Sequence, residues 1–205
     1  MIAIIDYGVG NIFSLMCSFS RIGQEVQLTG DPDVIAAADR VVLPGVGAFG
    51  DAADKLRETG LDQVVLEQAR SGKPLVGICL GMQLLFERSL EFGEHQGLGL
   101  IPGTVAPLSS VIPAGLKIPQ IGWNALKFPK DRPKDPIFRY VKEGDHVYFV
   151  HSFCGTECDR DVIAVTEYGA DVTAAVARGN VYGLQFHPEK SGEIGLNILR
   201  AFCEM

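Results

Sequence analysis

Short apolar runs rich in β-branched residues alternate with longer amphipathic stretches through the first half of the chain. Ala3 to Ile5, Glu25 to Leu28, Val41 to Leu43 and Leu75 to Ile78 read as strands. Between them, Asn11 is placed to cap a helix running to about Ile22, and the segment from Gly50 to about Arg70 carries helical periodicity. Strand and helix therefore alternate, the order that gives a parallel sheet covered by helices. After Gly97-Leu98-Gly99 the character changes. Pro107, Pro113, Pro119, Pro129, Pro133 and Pro136 disfavour long helices, so strands and loops should dominate. Val147 to Val150, Ile163 to Thr166 and Val181 to Gln185 are the strand candidates there, and a helix burying Ile194, Ile198, Leu199 and Phe202 closes the chain. No internal repeat or low-complexity linker interrupts it, and residues 1–205 are expected to fold as one domain.

Composition narrows the class of function. With 47% hydrophobic and 21% charged residues the chain is an ordinary globular one. Eighteen basic against 25 acidic residues give a net charge of −7, which lacks the basic footprint of a nucleic-acid binder. The run Met1 to Ile5 has no basic flank and stops at Asp6, so neither a signal peptide nor a membrane span is expected. Five scattered cysteines, Cys17, Cys79, Cys154, Cys158 and Cys203, form no disulfide framework and suit a reducing cytoplasm.

One of those cysteines stands apart. Leu75 to Phe86 reads as an apolar strand running into an apolar helix, with Gly77-Ile78-Cys79-Leu80-Gly81 at the junction. This is a nucleophile elbow with cysteine in place of serine. Glycines flank the nucleophile because a sharp strand-to-helix turn leaves no room for side chains. The sulfur is then displayed at a helix N-terminus, whose amides suit negative charge, and the Leu80 N–H can serve an oxyanion. Most apolar-flanked cysteines are inert core residues. A core cysteine, however, has no need of the two glycines.

A cysteine nucleophile needs a base, and the base needs an orienting group. Gly183 to Glu189 ends an apolar strand in His187-Pro188-Glu189, where proline fixes the backbone and the carboxylate can hold the imidazole Nδ1–H. By itself His-Pro-Glu is more often a turn with a solvated glutamate; its value comes from coexisting with the elbow. A second oxyanion donor should come from Pro44-Gly45-Val46-Gly47, with the Val46 N–H nominated. Phosphate-loop readings fail, because Gly45 to Asp51 lacks the lysine of a P-loop and Gly8 to Phe13 lacks the last glycine of a dinucleotide fingerprint. His146, His151, Cys154 and Cys158 could suggest zinc. Their spacing departs from that of structural fingers, and strand alternation would put His146 and His151 on opposite faces, so no metal and no cofactor are expected.

With these blocks assembled, the chain resembles the triad-type glutamine amidotransferases, and within them the glutaminase subunits of histidine biosynthesis. The resemblance runs from end to end. It rests on Asp6 to Asn11, Pro44 to Gly50, Gly77 to Gln83, Gly122-Trp123-Asn124, Tyr148 to Ser152 and Gln185 to Ser191. It implies a doubly wound, mostly parallel α/β sheet with flanking helices, flavodoxin-like, with a β-rich second half. It also implies Cys79 as the nucleophile that forms a glutamyl thioester, His187 as acid and base, and Glu189 as its orienter. Gly47, Gln83, His151 and Ser152 are implied near bound glutamine. Gly10, Asn11, Trp123, Tyr148 and Lys190 are implied around a docking face for a (β/α)8-barrel cyclase subunit in a heterodimer. Such a barrel takes about 250 residues, so it belongs on a second chain. Other readings are a glutaminase for another synthase (pyridoxal 5′-phosphate or anthranilate), a free-standing γ-glutamyl cysteine hydrolase, and a non-enzymatic module of the same fold, against which the intact triad argues.

Overall fold

The computed structural model describes residues 1–205. Four strands of the first half, β1 (Ile2–Ile5), β2 (Val26–Thr29), β3 (Arg40–Leu43) and β4 (Leu75–Ile78), lie within a residue or so of where the apolar runs put them. The helices are α1 (Ile12–Arg21), α2 (Pro32–Ala37), α3 (Phe49–Glu58) and α4 (Leu61–Arg70). Three details differ from expectation. Asn11 occupies the cap position of α1, but its side chain makes no capping bond. The helical stretch from Gly50 to Arg70 is two helices, divided at Gly60, whose φ of +71° is the left-handed conformation that breaks a helix. Helix α2 was not anticipated, although its start is signalled: Asp31 Oδ1 accepts from Asp33 N at 2.9 Å and Pro32 occupies the first turn.

The second half contains α5 (Leu80–Leu84), nine strands and α6 (Gly192–Cys203). The strands are β5 (Phe86–Ser89), β6 (His95–Gln96), β7 (Ile101–Pro107), β8 (Gln120–Lys127), β9 (His146–His151), β10 (Phe153–Thr156), β11 (Val162–Glu167), β12 (Asp171–Arg178) and β13 (Val181–Leu184). The helix expected after Cys79 is thus only five residues long, and Phe86 already starts a strand.

A nine-stranded sheet runs in the order β2-β1-β3-β4-β13-β12-β11-β8-β9, and a four-stranded sheet in the order β10-β7-β5-β6. Pairings from β2 through β13 are parallel, and those from β13 outward to β9 are antiparallel. The α/β class holds, but the large sheet is mixed rather than mostly parallel, with four parallel and four antiparallel pairings. Both faces of the parallel half are covered, so its strands are apolar throughout and divide their side chains by alternation. Ile2, Ile4, Val42, Val76 and Ile78 pack with Leu15 and Phe19 of α1 and Ile198, Leu199 and Phe202 of α6. Ala3, Ile5, Val41, Leu43 and Leu75 pack with α2, α3 and α4 through Ile35, Phe49, Leu56 and Val65. Phe19 is fully buried, and truncating such a side chain to alanine costs about 3–5 kcal/mol.

This topology fixes where chemistry can occur. Strand β4 lies between β3 and β13, parallel to both, with Leu43 opposite Gly77 and Leu184 opposite Ile78. The loops leaving the carboxyl ends of these three strands therefore emerge side by side, the usual place for a site on a sheet of this kind.

Candidate active site

Those three loops are Pro44 to Gly47, the turn at Cys79, and Gln185 to Glu189. Cys79 sits between β4 and α5 at φ 53°, ψ −110°. For a residue with a side chain this left-handed conformation costs on the order of 1–3 kcal/mol and persists only where its surroundings impose it. The flanking glycines are part of that imposition. A Cβ on Gly77 would lie 2.5 Å from Gly81 O, and one on Gly81 would lie 1.9 Å from Leu43 O, so neither tolerates a side chain. Cys79 N donates to Leu184 O at 2.7 Å, tying the turn to β13.

His187 follows β13 and is held from two sides. Its backbone N–H donates to Tyr148 O at 2.9 Å, and its Nδ1 pairs with Glu189 Oε1 at 2.8 Å, with both side chains almost completely buried. Burial by itself would disfavour the imidazolium. Partnership with Cys79 and Glu189 outweighs that and raises the His187 pKa to about 9. Glu189 Oε2 is buried without a hydrogen-bond partner, so the carboxylate is directed to His187 through one oxygen.

A cleft of about 310 Å³ opens in front of Cys79 and His187. Val46, Gly47, Leu80, Gln83, His151 and Ser152 line it, together with Glu91, Pro119, Val150 and Phe153. Every residue expected near the substrate is therefore present, while Glu189 stands behind His187. The Val46 N–H makes no hydrogen bond within the chain. That of Leu80, first residue of α5, has no intrahelical partner. His151 is 5% exposed and donates from Nδ1 to Phe153 O at 2.8 Å. Burial holds its pKa down to about 4, reinforced by the charge of His187, which favours the neutral imidazole. His146 is exposed at the other end of β9, on the opposite face as alternation requires, and Cys154 and Cys158 are buried free thiols in separate apolar clusters.

Three residues escaped the sequence reading of this site. Glu91 lies in the β5–β6 connection and contributes the cleft's one carboxylate; its Oε2 accepts from Phe49 N at 2.6 Å. No motif marks it, since its partner is 42 residues away in sequence. Tyr7 is buried and donates to Pro44 O at 2.8 Å, anchoring the loop that carries Val46. Burial, with the nearby Cys79 charge, raises its pKa well above that of a free phenol, so the donor is permanent. Gln185, at the end of β13, reaches Cys79 itself.

The expected docking residues fall in two places. Trp123 and Tyr148 are register partners on β8 and β9, with rings 6.1 Å apart and edge to face, and Lys190 Nζ lies 5.7 Å from the Tyr148 ring centroid. Gly10 and Asn11 stand at the entrance to α1, where Gly10 packs against Pro44. Trp123 is 52% exposed and Ile121 beside it 61%. No helix is long and apolar enough to cross a membrane.

Known proteins share both this sequence and this fold. Subunits HisH of imidazole glycerol phosphate synthase are similar at full length: 46% identical in Wolinella succinogenes (100% of both chains), and 49% in Sulfurimonas denitrificans (100% of this chain, 98% of the other). In Lactococcus lactis the subunit is 47% identical, over 99% of this chain and 98% of its own. Among solved structures, PurLQS from Thermotoga maritima superposes with a TM-score of 0.76 at 22% identity (99% and 97% covered). The glutaminase domain of Trypanosoma brucei CTPS superposes with a TM-score of 0.64 at 16% identity (99% and 93% covered). The family Glutamine amidotransferase class-I matches residues 3–205, a span that takes in the elbow, the His-Pro-Glu turn and the strands that join them; by sequence and by fold alike, the chain belongs to the class-I glutamine amidotransferases.

Proposed function

We propose that this chain is the glutaminase subunit of an imidazole glycerol phosphate synthase, releasing ammonia from glutamine at Cys79 for a cyclase subunit of (β/α)8 architecture. The observation that carries the chemistry is His187 held between Cys79 and Glu189 at the carboxyl ends of adjacent parallel strands. Residues 1–205 act as one domain, which the continuous nine-stranded sheet supports.

The steps follow from the geometry. His187, whose pKa is raised to about 9, accepts the Cys79 proton. The sulfur attacks the side-chain amide carbon of glutamine, and the carbonyl electrons move to oxygen, which accepts hydrogen bonds from the Leu80 and Val46 N–H groups. Collapse breaks the C–N bond, His187 delivers its proton to nitrogen, and ammonia leaves a glutamyl thioester on Cys79. Water then gives a proton to His187 as it attacks the thioester, the C–S bond breaks, and glutamate departs. Glu189 stabilises the imidazolium and keeps its Nε2 toward the sulfur. Glu91 supplies a carboxylate for the α-ammonium of glutamine, while Gly47, Gln83, His151 and Ser152 shape the remainder of the cleft.

The HisH relatives are named as subunits of a synthase. The exposed patch of Ile121, Trp123, Tyr148 and Lys190, adjoining the His187 turn, suits the docking of a second chain, with Gly10 and Asn11 extending it. Five free cysteines suit a reducing cytoplasm. The test is reconstitution with a barrel cyclase and its nucleotide substrate: glutamine-dependent product should appear only when both chains are present. Equal stimulation by an anthranilate or pyridoxal 5′-phosphate synthase would refute the assignment.

A further inference from the structure

Beside Cys79 lies a buried relay of two amides, Gln83, which also lines the cleft, and Gln185. Gln83 Nε2 donates to Phe153 O and to Gln185 Oε1, each at 3.1 Å, which uses both of its N–H bonds. That arrangement fixes the orientation of the second amide, because a reversed Gln185 would set one NH2 against another. The Nε2 of Gln185 therefore faces Cys79 Sγ, at 3.9 Å. Gln185 is fully buried, and the sulfur is the one acceptor its side-chain nitrogen has. Its backbone is fixed as well, with N–H donating to Ala174 O at 2.9 Å on β12.

Resting on the reading of Cys79 as nucleophile, we propose that Gln185 is a further catalytic residue, whose side-chain N–H donates to the Cys79 sulfur and holds it as the thiolate. His187 and Gln185 then divide the work on one atom. His187 exchanges a proton with the sulfur. Gln185 can neither accept nor lose one at neutral pH, so it contributes a donor that is always present. A hydrogen bond to sulfur is stronger when the sulfur is anionic than when it is a thioester. The contact thus favours the charged nucleophile before attack and the departing thiolate when water cleaves the thioester. The same relay leaves Gln83 Oε1 free, so substrate contact and sulfur position are linked through two amides.

The test is the rate at which iodoacetamide alkylates Cys79 in the full chain at neutral pH, read by mass spectrometry beside glutaminase kinetics of the reconstituted complex. Gln185→Met keeps the length and removes the donor; Gln185→Glu keeps the acceptor for Gln83 and puts an oxygen where the donor was. Loss of a charge-assisted hydrogen bond predicts alkylation slowed roughly 10- to 100-fold in both, with kcat falling alongside and KM little changed. In the wild-type chain, a Gln185 side-chain amide proton should resonate downfield and lose that displacement on Cys79→Ala. That spectrum decides the matter if neither variant folds: an undisplaced proton overturns the proposal. Folded variants alkylated at the wild-type rate overturn it too, and an unreactive wild-type Cys79 overturns it together with the function proposed above.

Discussion

The parallel and antiparallel halves of the large sheet are built from the same kind of apolar strand, yet they present different things to the outside. Between β3, β4 and β13 the strands point the same way, so what converges at one edge is their ends: a glycine-rich loop, a strained cysteine turn and a His-Pro-Glu turn. Each arrives on a rigid base, because both faces of these strands are buried. Between β8 and β9 the strands run in opposite directions, and what they present is a face. Val147, Phe149 and His151 point inward while Tyr148 and its register partner Trp123 point out. Parallel pairing gathers backbone termini, which suits covalent chemistry; antiparallel pairing displays a row of side chains, which suits a partner.

If that division holds, the largest effect should come from the elbow. Cys79→Ala should reduce glutamine hydrolysis to background while the reconstituted complex still makes product from added ammonia. Substantial residual glutaminase would move the nucleophile elsewhere in the fold. His187→Asn should follow, with a loss of about 10²- to 10⁴-fold in kcat, and Glu189→Gln should lose less because an amide still orients the ring. The wild-type pH profile carries the same assignment. In the free chain His187 is raised to about 9 by its partnership with Cys79 and Glu189, so its imidazolium is lost as pH climbs through about 9, and kcat/KM should decline there. A decline centred near 7 would show His187 to be an ordinary histidine.

Legibility in sequence followed the same division. The parallel half was readable because each element is short, local and punctuated: the glycines at 77 and 81 announce a turn that no side chain could survive, and proline fixes the His-Pro-Glu turn. The antiparallel half was less so. Strand β8 contains Gly122 and Asn124 among exposed and half-buried positions, which breaks the alternation a half-buried strand should show. Strand β12, Asp171 to Arg178, is built largely on alanine and valine and gives little contrast between faces. Within the site, Glu91 and Gln185 make contacts 42 and 106 residues away, and although Gln185 opens the block that holds the His-Pro-Glu turn, nothing in that block marks its contact with Cys79.

His151 belongs to both halves, being the last residue of β9 and part of the cleft wall, and it sharpens the comparison through stability. Its pKa is held at about 4 in the folded chain, against an ordinary value of 6.5. Between these values the unfolded chain binds the proton and the folded one does not, so stability falls as pH drops from 6.5 toward 4. The shift corresponds to about 3 kcal/mol at the bottom of that window. Urea unfolding of wild type and His151→Asn across pH 4–7 should show a shallower acid dependence in the variant. Parallel curves would mean that His151 is not buried as a neutral ring.

The smallest effects should come from the displayed face, and they should appear in association rather than in folding. Trp123 is half exposed and Lys190 lies over the Tyr148 ring at the surface, so neither holds the core together. Trp123→Ala removes a large aromatic from a patch suited to docking, and a loss of about 2 kcal/mol or more in affinity for the cyclase is expected of such an anchor. Lys190→Met keeps the apolar stem and removes a charge whose contact with an exposed ring is worth about 0.5–1 kcal/mol, so dissociation should tighten or loosen only a few-fold unless a partner carboxylate pairs with it. A larger loss from Lys190→Met, with melting temperature unchanged, would therefore reveal that pairing. Because Lys190 directly follows Glu189, whose Oε1 holds the catalytic ring, such a pairing would join the antiparallel face to the parallel edge through one peptide bond. Calorimetric titration of each variant against the cyclase, beside thermal melts of the isolated chain, separates these outcomes: a fall in melting temperature without a change in affinity would place Trp123 and Lys190 in the fold and leave the docking face to be found elsewhere.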